Sequence, residues 1–205
     1  MTVMIGQKFP ETNVNAVMAD GSIDENFSAP AYGNGGYTVV FFYPLDFTFV
    51  CPTEIIAFDK ATKEFEKRGC KVIGASVDSH FSHIAWRDTD LSKGGIGPVN
   101  FPLMSDMERK ISSQLGIVAE GGVTYRASYL LDENGIVRHM VCNDLPLGRS
   151  VQEMLRMVDA LKFHEEHGEV CPANWQEGEE AIQPTSESTG AYLAKKHGGG
   201  SSSAA

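Results

Sequence analysis

Cys51 stands where a sulfur atom would be most reactive. Before it comes the run Tyr37 to Tyr43, rich in β-branched and aromatic residues and ended by Pro44, which reads as a buried strand. After it Ile55, Phe58, Thr62 and Phe65 recur at helical spacing, with Gly69 as a stop signal. The cysteine therefore falls at the junction of a central strand and the first turn of a helix. Backbone N–H groups have no intrahelical partner there, and the positive end of the helix dipole favours a thiolate. The chemistry this predicts is nucleophilic attack by sulfur.

A helix end alone is too weak to make that chemistry efficient. A free thiol, with a pKa near ~8.5, is only a few per cent ionised at neutral pH. Bringing such a group to about 6 takes roughly 3.4 kcal/mol, of which a helix terminus supplies about 0.5–2. A guanidinium in a partly dry pocket is expected to supply the rest. An acidic surface does not prevent this, because distant charges are screened beyond ~10 Å.

Strand and helix signals alternate along the chain, which predicts an α/β sheet with helices on its faces. Lys71 to Val77 reads as a second buried strand, Ser82 to Leu91 as a helix ended by Gly94 to Gly97, and Met107 to Leu115 as a short helix closed by Gly116. Tyr125 to Leu131 and Ile136 to Val141 flank Glu133-Asn134-Gly135, a hairpin turn signal. Ser150 with Glu153 forms a capping box for a helix through His164. Beyond Gly168 the composition turns polar, predicting an extended arm that must pack on a partner surface because it cannot bury itself. The Gly/Ser/Ala tail, residues 198–205, reads as a disordered linker.

Composition excludes several function classes. The 205 residues, 42% apolar and 21% charged, fit one soluble globular domain with tails. No apolar stretch approaches the ~20 residues that cross a bilayer, and the N-terminus lacks a signal-peptide pattern, so a cytoplasmic location and no membrane partner are expected. A net charge of −10 without any basic block argues against nucleic acid. The four cysteines, at 51, 70, 142 and 171, include no Cys-x-x-Cys pair, so neither a zinc knuckle nor a thioredoxin-type dithiol is visible. Cys70 and Cys142 read as small buried hydrophobes. His80 and His83 lack the carboxylate or cysteine that would complete a metal site and read as a solvated helix face. Trp86 and Trp175 read as packing residues. No metal or cofactor is expected.

The stretch Phe42 to Ile55 resembles the active-site loop of the typical two-cysteine peroxiredoxins, the group that contains the thioredoxin peroxidases and the peroxidase subunit of alkyl hydroperoxide reductase. The resemblance runs from about Ile5 to His197. The family's Pro-x-x-x-Thr-x-x-Cys motif falls on Pro44, Thr48 and Cys51, its active-site arginine on Arg126, and its resolving cysteine on Cys171, within Glu169 to Trp175. Gly94 to Gly97, Asn143 to Ser150 and Trp86 are further landmarks at family spacing.

The resemblance implies a thioredoxin-like fold, with a central mixed sheet flanked by helices and an extended C-terminal arm. It divides the chain into a peroxidase domain over 1–167, an arm over 168–197 and the tail. It implies a peroxidase that reduces hydrogen peroxide and organic hydroperoxides, with Cys51 becoming a sulfenic acid resolved by Cys171 of a second subunit. Electrons would come from thioredoxin or a flavoprotein disulfide reductase, and homodimers would assemble into a decamer.

Attack on an O–O bond develops negative charge on both oxygens, so donors must face them. Candidates are the Thr48 hydroxyl, the Cys51 N–H and Arg126, with Pro44 shielding the sulfur, Glu54 holding an arginine by its carboxylate fork, and Arg149 as a second arginine. For sulfur to reach a distant arm, the helix turn at Cys51 must unwind. In the family, a loop like Gly94 to Gly97 slows that step, together with a Tyr-Phe pair that appears here as Tyr192-Leu193. Two other functions compete. A holdase chaperone or scaffold is the alternative, whereas a cysteine hydrolase or disulfide isomerase is opposed by the missing Cys-x-x-Cys and the lack of a histidine recognisably placed to activate Cys51.

Overall fold

The computed structural model describes residues 5–33 and 35–197. Its strands are β1 (Val14–Val17), β2 (Ile23–Phe27), β3 (Tyr37–Phe42), β4 (Cys70–Ser76), β5 (Leu103–Ser105), β6 (Arg126–Leu131) and β7 (Val137–Asn143). They form one mixed sheet in the order β2-β1-β5-β4-β3-β6-β7. The helices are α1 (Ala29–Gly33), α2 (Cys51–Lys67), α3 (His80–Arg87), α4 (Lys110–Leu115), α5 (Val151–His167) and α6 (Ser186–His197). The chain divides into two compact units between Leu155 and Arg156.

In the first unit β3 is central, parallel to β4 and antiparallel to β6, and all six of its residues are buried. The two-residue side-chain period sends its aromatics to opposite faces. Phe42 and Val40 join a core with Phe9, Ile73, Met104 and Tyr129. Phe41 turns the other way and stacks on Phe58 of α2, ring centroids 4.1 Å apart. Burying a side chain like Phe58 contributes about 1.5–3 kcal/mol. The close fit depends on Gly74 in β4, where an added Cβ would lie 2.9 Å from Leu103 and 3.1 Å from Phe41. This packing fixes α2 across the sheet and so places its first residue, Cys51, at the carboxyl end of β3.

The hairpin β6–β7 forms as its turn signal predicts, with Asp132 Oδ1 accepting from the amides of Asn134 and Ile136 at 2.9 and 3.0 Å. Ser150 Oγ accepts from the Glu153 amide at 3.2 Å, as a cap for α5 should. The expected helix over Ser82 to Leu91 starts earlier, at His80, because Ser79 caps it, and ends at Arg87. The expected helix from Met107 starts only at Lys110, where Asp106 takes the amides of Ile111 and Ser112. Arg87 ties α3 to the β1–β2 turn through the carbonyls of Met18 and Ala19, both at 2.7 Å.

The second unit holds the remainder of α5 and the arm. The arm is not extended throughout, as the sequence reading expected: Val170 and Ile182 pair as an isolated bridge, and residues Ser186–His197 form α6. Trp175 is buried against Phe163, centroids 4.8 Å apart, and its carbonyl accepts from Arg156 at 3.0 Å. The tail, 198–205, lies outside the described residues.

Candidate active site

Cys51 opens α2, and no side chain caps that end: the N-cap is Val50, and Pro52 has no N–H to offer. The Val50 carbonyl accepts from the amides of Thr53 and Glu54, at 3.0 and 3.3 Å, and from the Thr53 hydroxyl at 2.6 Å. The first-turn amide of Cys51 is thus left without an intrahelical partner, in the positive field of the helix. The cysteine is fully buried.

Arg126 starts β6 and lies almost wholly inside. Its Nη1 donates to Cys51 Sγ at 3.3 Å and to Glu54 Oε2 at 2.8 Å, while Nε donates to the Leu145 carbonyl at 2.7 Å. Glu54 sits one turn into α2 and receives a second arginine. Arg149 Nε and Nη2 reach its two oxygens at 2.8 and 2.9 Å, and the Arg149 amide adds a bond of 2.9 Å. Arg149 Nη1 also donates to the carbonyls of Phe42 and Ala127, at 2.7 and 2.9 Å, and its guanidinium lies over the Phe41 ring. Burial would push the Glu54 carboxyl up, but the bonds and charge of Arg149, together with the charge of Arg126, hold it below the ordinary glutamate range.

Two guanidiniums against one carboxylate leave one positive charge beside the sulfur. In a buried site an uncompensated charge is costly, and a thiolate compensates it. Glu54 is therefore a spacer: it keeps both arginines in place without cancelling their combined charge.

The loop from Pro44 to Val50 carries the other expected residues. Pro44 is buried. Thr48 donates its hydroxyl proton to the Leu45 carbonyl at 2.8 Å, so what it has left for a ligand is acceptor lone pairs, not the donor expected from the sequence. Phe47 adopts a left-handed backbone, φ 54°, a conformation that costs energy for an aromatic residue. Cys171 lies in the second unit, half-buried, with Sγ 3.5 Å from the Ala160 carbonyl, and burial raises its pKa.

Two further expectations fail. His83 is not on a solvated face: it is completely buried, with Nδ1 2.8 Å from Asp46 Oδ2. His80 instead pairs with Asn15. Cys142 is exposed near the end of β7, not buried, because β7 is the edge strand of the sheet; Cys70 is buried as expected. Sequence reasoning missed Asp46 and Tyr43, which accompany His83. The one available signal was that His83 stands three residues before Trp86, on the same helix face.

Residues 5–140 match the AhpC/TSA family, and residues 160–195 match the C-terminal domain of 1-Cys peroxiredoxin. Alkyl hydroperoxide reductase C of Buchnera aphidicola is 49% identical over 94% of this chain and 98% of its own. Peroxiredoxin-1 of Gekko japonicus is 50% identical over 93% of this chain and 96% of its own. Among solved structures, the reduced 2-Cys peroxiredoxin of Plasmodium vivax superposes with a TM-score of 0.89 at 44% identity, covering 93% of this chain and 98% of that one. The fold and the buried cysteine–arginine pair define a peroxiredoxin. The chain belongs to the AhpC/TSA family within that class.

Proposed function

We propose that this peroxidase reduces hydrogen peroxide and organic hydroperoxides by a two-cysteine cycle. The observation that carries the reading is the 3.3 Å contact of Arg126 Nη1 with Cys51 Sγ, backed by the Glu54–Arg149 pair. The thiolate attacks one peroxide oxygen, forming an S–O bond as the O–O bond breaks, and the departing oxygen leaves as water or an alcohol once protonated. Arg126 and the Cys51 N–H stabilise the charge that develops on the oxygens. Thr48 accepts the hydrogen of the incoming hydroperoxide, which orients its O–O bond toward sulfur, and Pro44 keeps water from the site.

The sulfenic acid then condenses with the Cys171 thiol of a second subunit, releasing water and leaving a disulfide. Since Cys51 is wholly covered, this requires the first turn of α2 to unwind. Thioredoxin or a flavoprotein disulfide reductase returns the electrons, and a reducing compartment such as the cytoplasm suits the free thiols. No described helix is long and apolar enough to cross a membrane. Exposed apolar side chains on the first unit, with Phe49 94% accessible and Phe81 67%, are consistent with burial between copies in a homodimer and a decamer built from it.

Non-reducing electrophoresis after one equivalent of hydrogen peroxide tests the cycle. A covalent dimer is expected from the wild type and is absent in Cys51→Ser and Cys171→Ser. A wild type that stays monomeric refutes it.

A further inference from the structure

A second buried polar cluster braces the loop from Pro44 to Val50. Tyr43 donates its hydroxyl to Asp46 Oδ1 at 2.9 Å, and His83 Nδ1 faces Asp46 Oδ2 at 2.8 Å. The Asp46 amide in turn donates to Asp78 Oδ2 at 2.9 Å. Asp46 is 7% exposed, and Tyr43 and His83 not at all. An aspartate oxygen can only accept here, so the imidazole carries its proton on Nδ1. Its Nε2 is buried and makes no hydrogen bond. A proton relay needs both ring nitrogens engaged; this histidine engages one, toward the loop.

One turn along α3, Trp86 packs on Tyr43 and on the left-handed Phe47, with centroids 6.0 and 5.7 Å apart, and donates Nε1 to the Gly94 carbonyl at 2.7 Å. Helix α3 thus grips the loop at adjacent residues, by the hydrogen bond at Asp46 and by a ring at Phe47. Stabilising contacts are needed there, because Phe47 is strained and Asp46 is a buried carboxylate.

We infer that His83 is a positioning residue that sets how long the loop stays closed after peroxide has reacted. This rests on the two-cysteine reading above. In the closed loop the Cys51 sulfenic acid can react with a second peroxide, gaining a second oxygen as sulfinic acid while water or an alcohol leaves. In the open loop it meets the Cys171 thiol, forming the S–S bond as water leaves. The first reaction needs the geometry that His83 holds, and the second needs that geometry lost, so His83 governs the partition between them.

The test uses full-length protein turning over with a thiol reductant. Disulfide formation is followed by stopped-flow tryptophan fluorescence and sulfinic acid by mass spectrometry. His83→Phe keeps the ring and removes the donor; His83→Asn restores an amide nitrogen near the Nδ1 position. Losing one hydrogen bond to a carboxylate changes an opening equilibrium by about tenfold. In His83→Phe the disulfide step should accelerate, and sulfinic acid per turnover should fall, each by about that factor. Peroxide consumption in the first step should slow by less, and His83→Asn should behave nearly as wild type. A merely structural role would lower both rates together, and that result, or an unchanged partition, overturns the inference. Should His83→Phe not fold, Tyr43→Phe removes the other donor to Asp46 and must move the partition the same way. If the wild type forms no intersubunit disulfide, the two-cysteine reading falls and takes this inference with it. A normal wild type with an unaltered variant sinks the inference alone.

Discussion

Arg126 serves Cys51 and Glu54 through one nitrogen: Nη1 lies 3.3 Å from the sulfur and 2.8 Å from the carboxylate. The carboxylate therefore decides where the positive charge stands relative to the nucleophile. A lysine could supply the charge, but it could not hold the Leu145 carbonyl, the carboxylate and the sulfur in one plane.

Arg126→Lys is expected to fold and to lose roughly 10²-fold or more in the rate of the first peroxide step, the range for losing an oriented oxyanion donor. Single-turnover kinetics with hydrogen peroxide measure it directly. Turnover at the wild-type rate means the arginine does not act on the reacting oxygens.

Glu54→Gln should damage stability as well as rate. It leaves two buried guanidiniums without their shared anion, and breaking a buried ion pair from one side costs about 3–5 kcal/mol. A urea titration should place its midpoint well below that of the wild type. An unchanged midpoint would contradict the central place given to this carboxylate.

Glu54 also sets an acid limit. Its pKa in the folded protein lies below the ordinary value of 4.5, so the stability it contributes is fully present above that pH. As pH falls through the depressed folded value, the carboxylate is protonated and the contribution is lost. Unfolding midpoints measured downward from pH 6 should drop more steeply in the wild type than in Glu54→Gln. Parallel curves would show that another group dominates.

Cys142 and Cys171 should be poor nucleophiles at neutral pH. Partial loss of solvent raises both above the ordinary thiol range, outweighing Arg149 near the first and Arg156 near the second. In a Cys51→Ser background, iodoacetamide labelling of either should gain rate only at a more alkaline pH than that of a free thiol. Rapid labelling at pH 7 would mean that these thiols are activated by something other than the surroundings described.

Gly74→Ala should lower stability by about 1–3 kcal/mol, the range for overpacking a filled core, because the new methyl meets Leu103, Phe41 and Phe101 within 3.2 Å. The shift in thermal midpoint measures it. A variant as stable as the wild type would mean that these rings move apart freely.

Much of this was legible in the chain. The strand before Cys51 and the helix after it, β4, and the β6–β7 hairpin carry strong apolar periodicity or turn residues, and they put Cys51, Glu54 and Arg126 together. The strands β1, β2 and β5 were not foreseen, since they are three to five residues long and β2 is mostly exposed, leaving no periodic apolar signal. Helix α6 escaped because it buries none of its residues. The Asp46–His83 contact joins residues 37 apart, a separation that no local pattern encodes. Placing α3 over Ser82 to Leu91 hid its buried face, since the true helix begins two residues earlier.

The start of α2 has a mechanical consequence. Its opening residues hang from the single carbonyl of Val50, and Pro52 contributes no amide hydrogen. Letting go of that oxygen atom and of the contact between Arg126 and the sulfur frees Cys51 to Thr53, while Glu54 stays bolted to its arginines and the rest of α2 keeps its own ladder. Presenting the sulfur to another chain then takes these three residues and the loop that His83 grips, a movement small enough to repeat at every catalytic round without loosening the charged anchor beneath it.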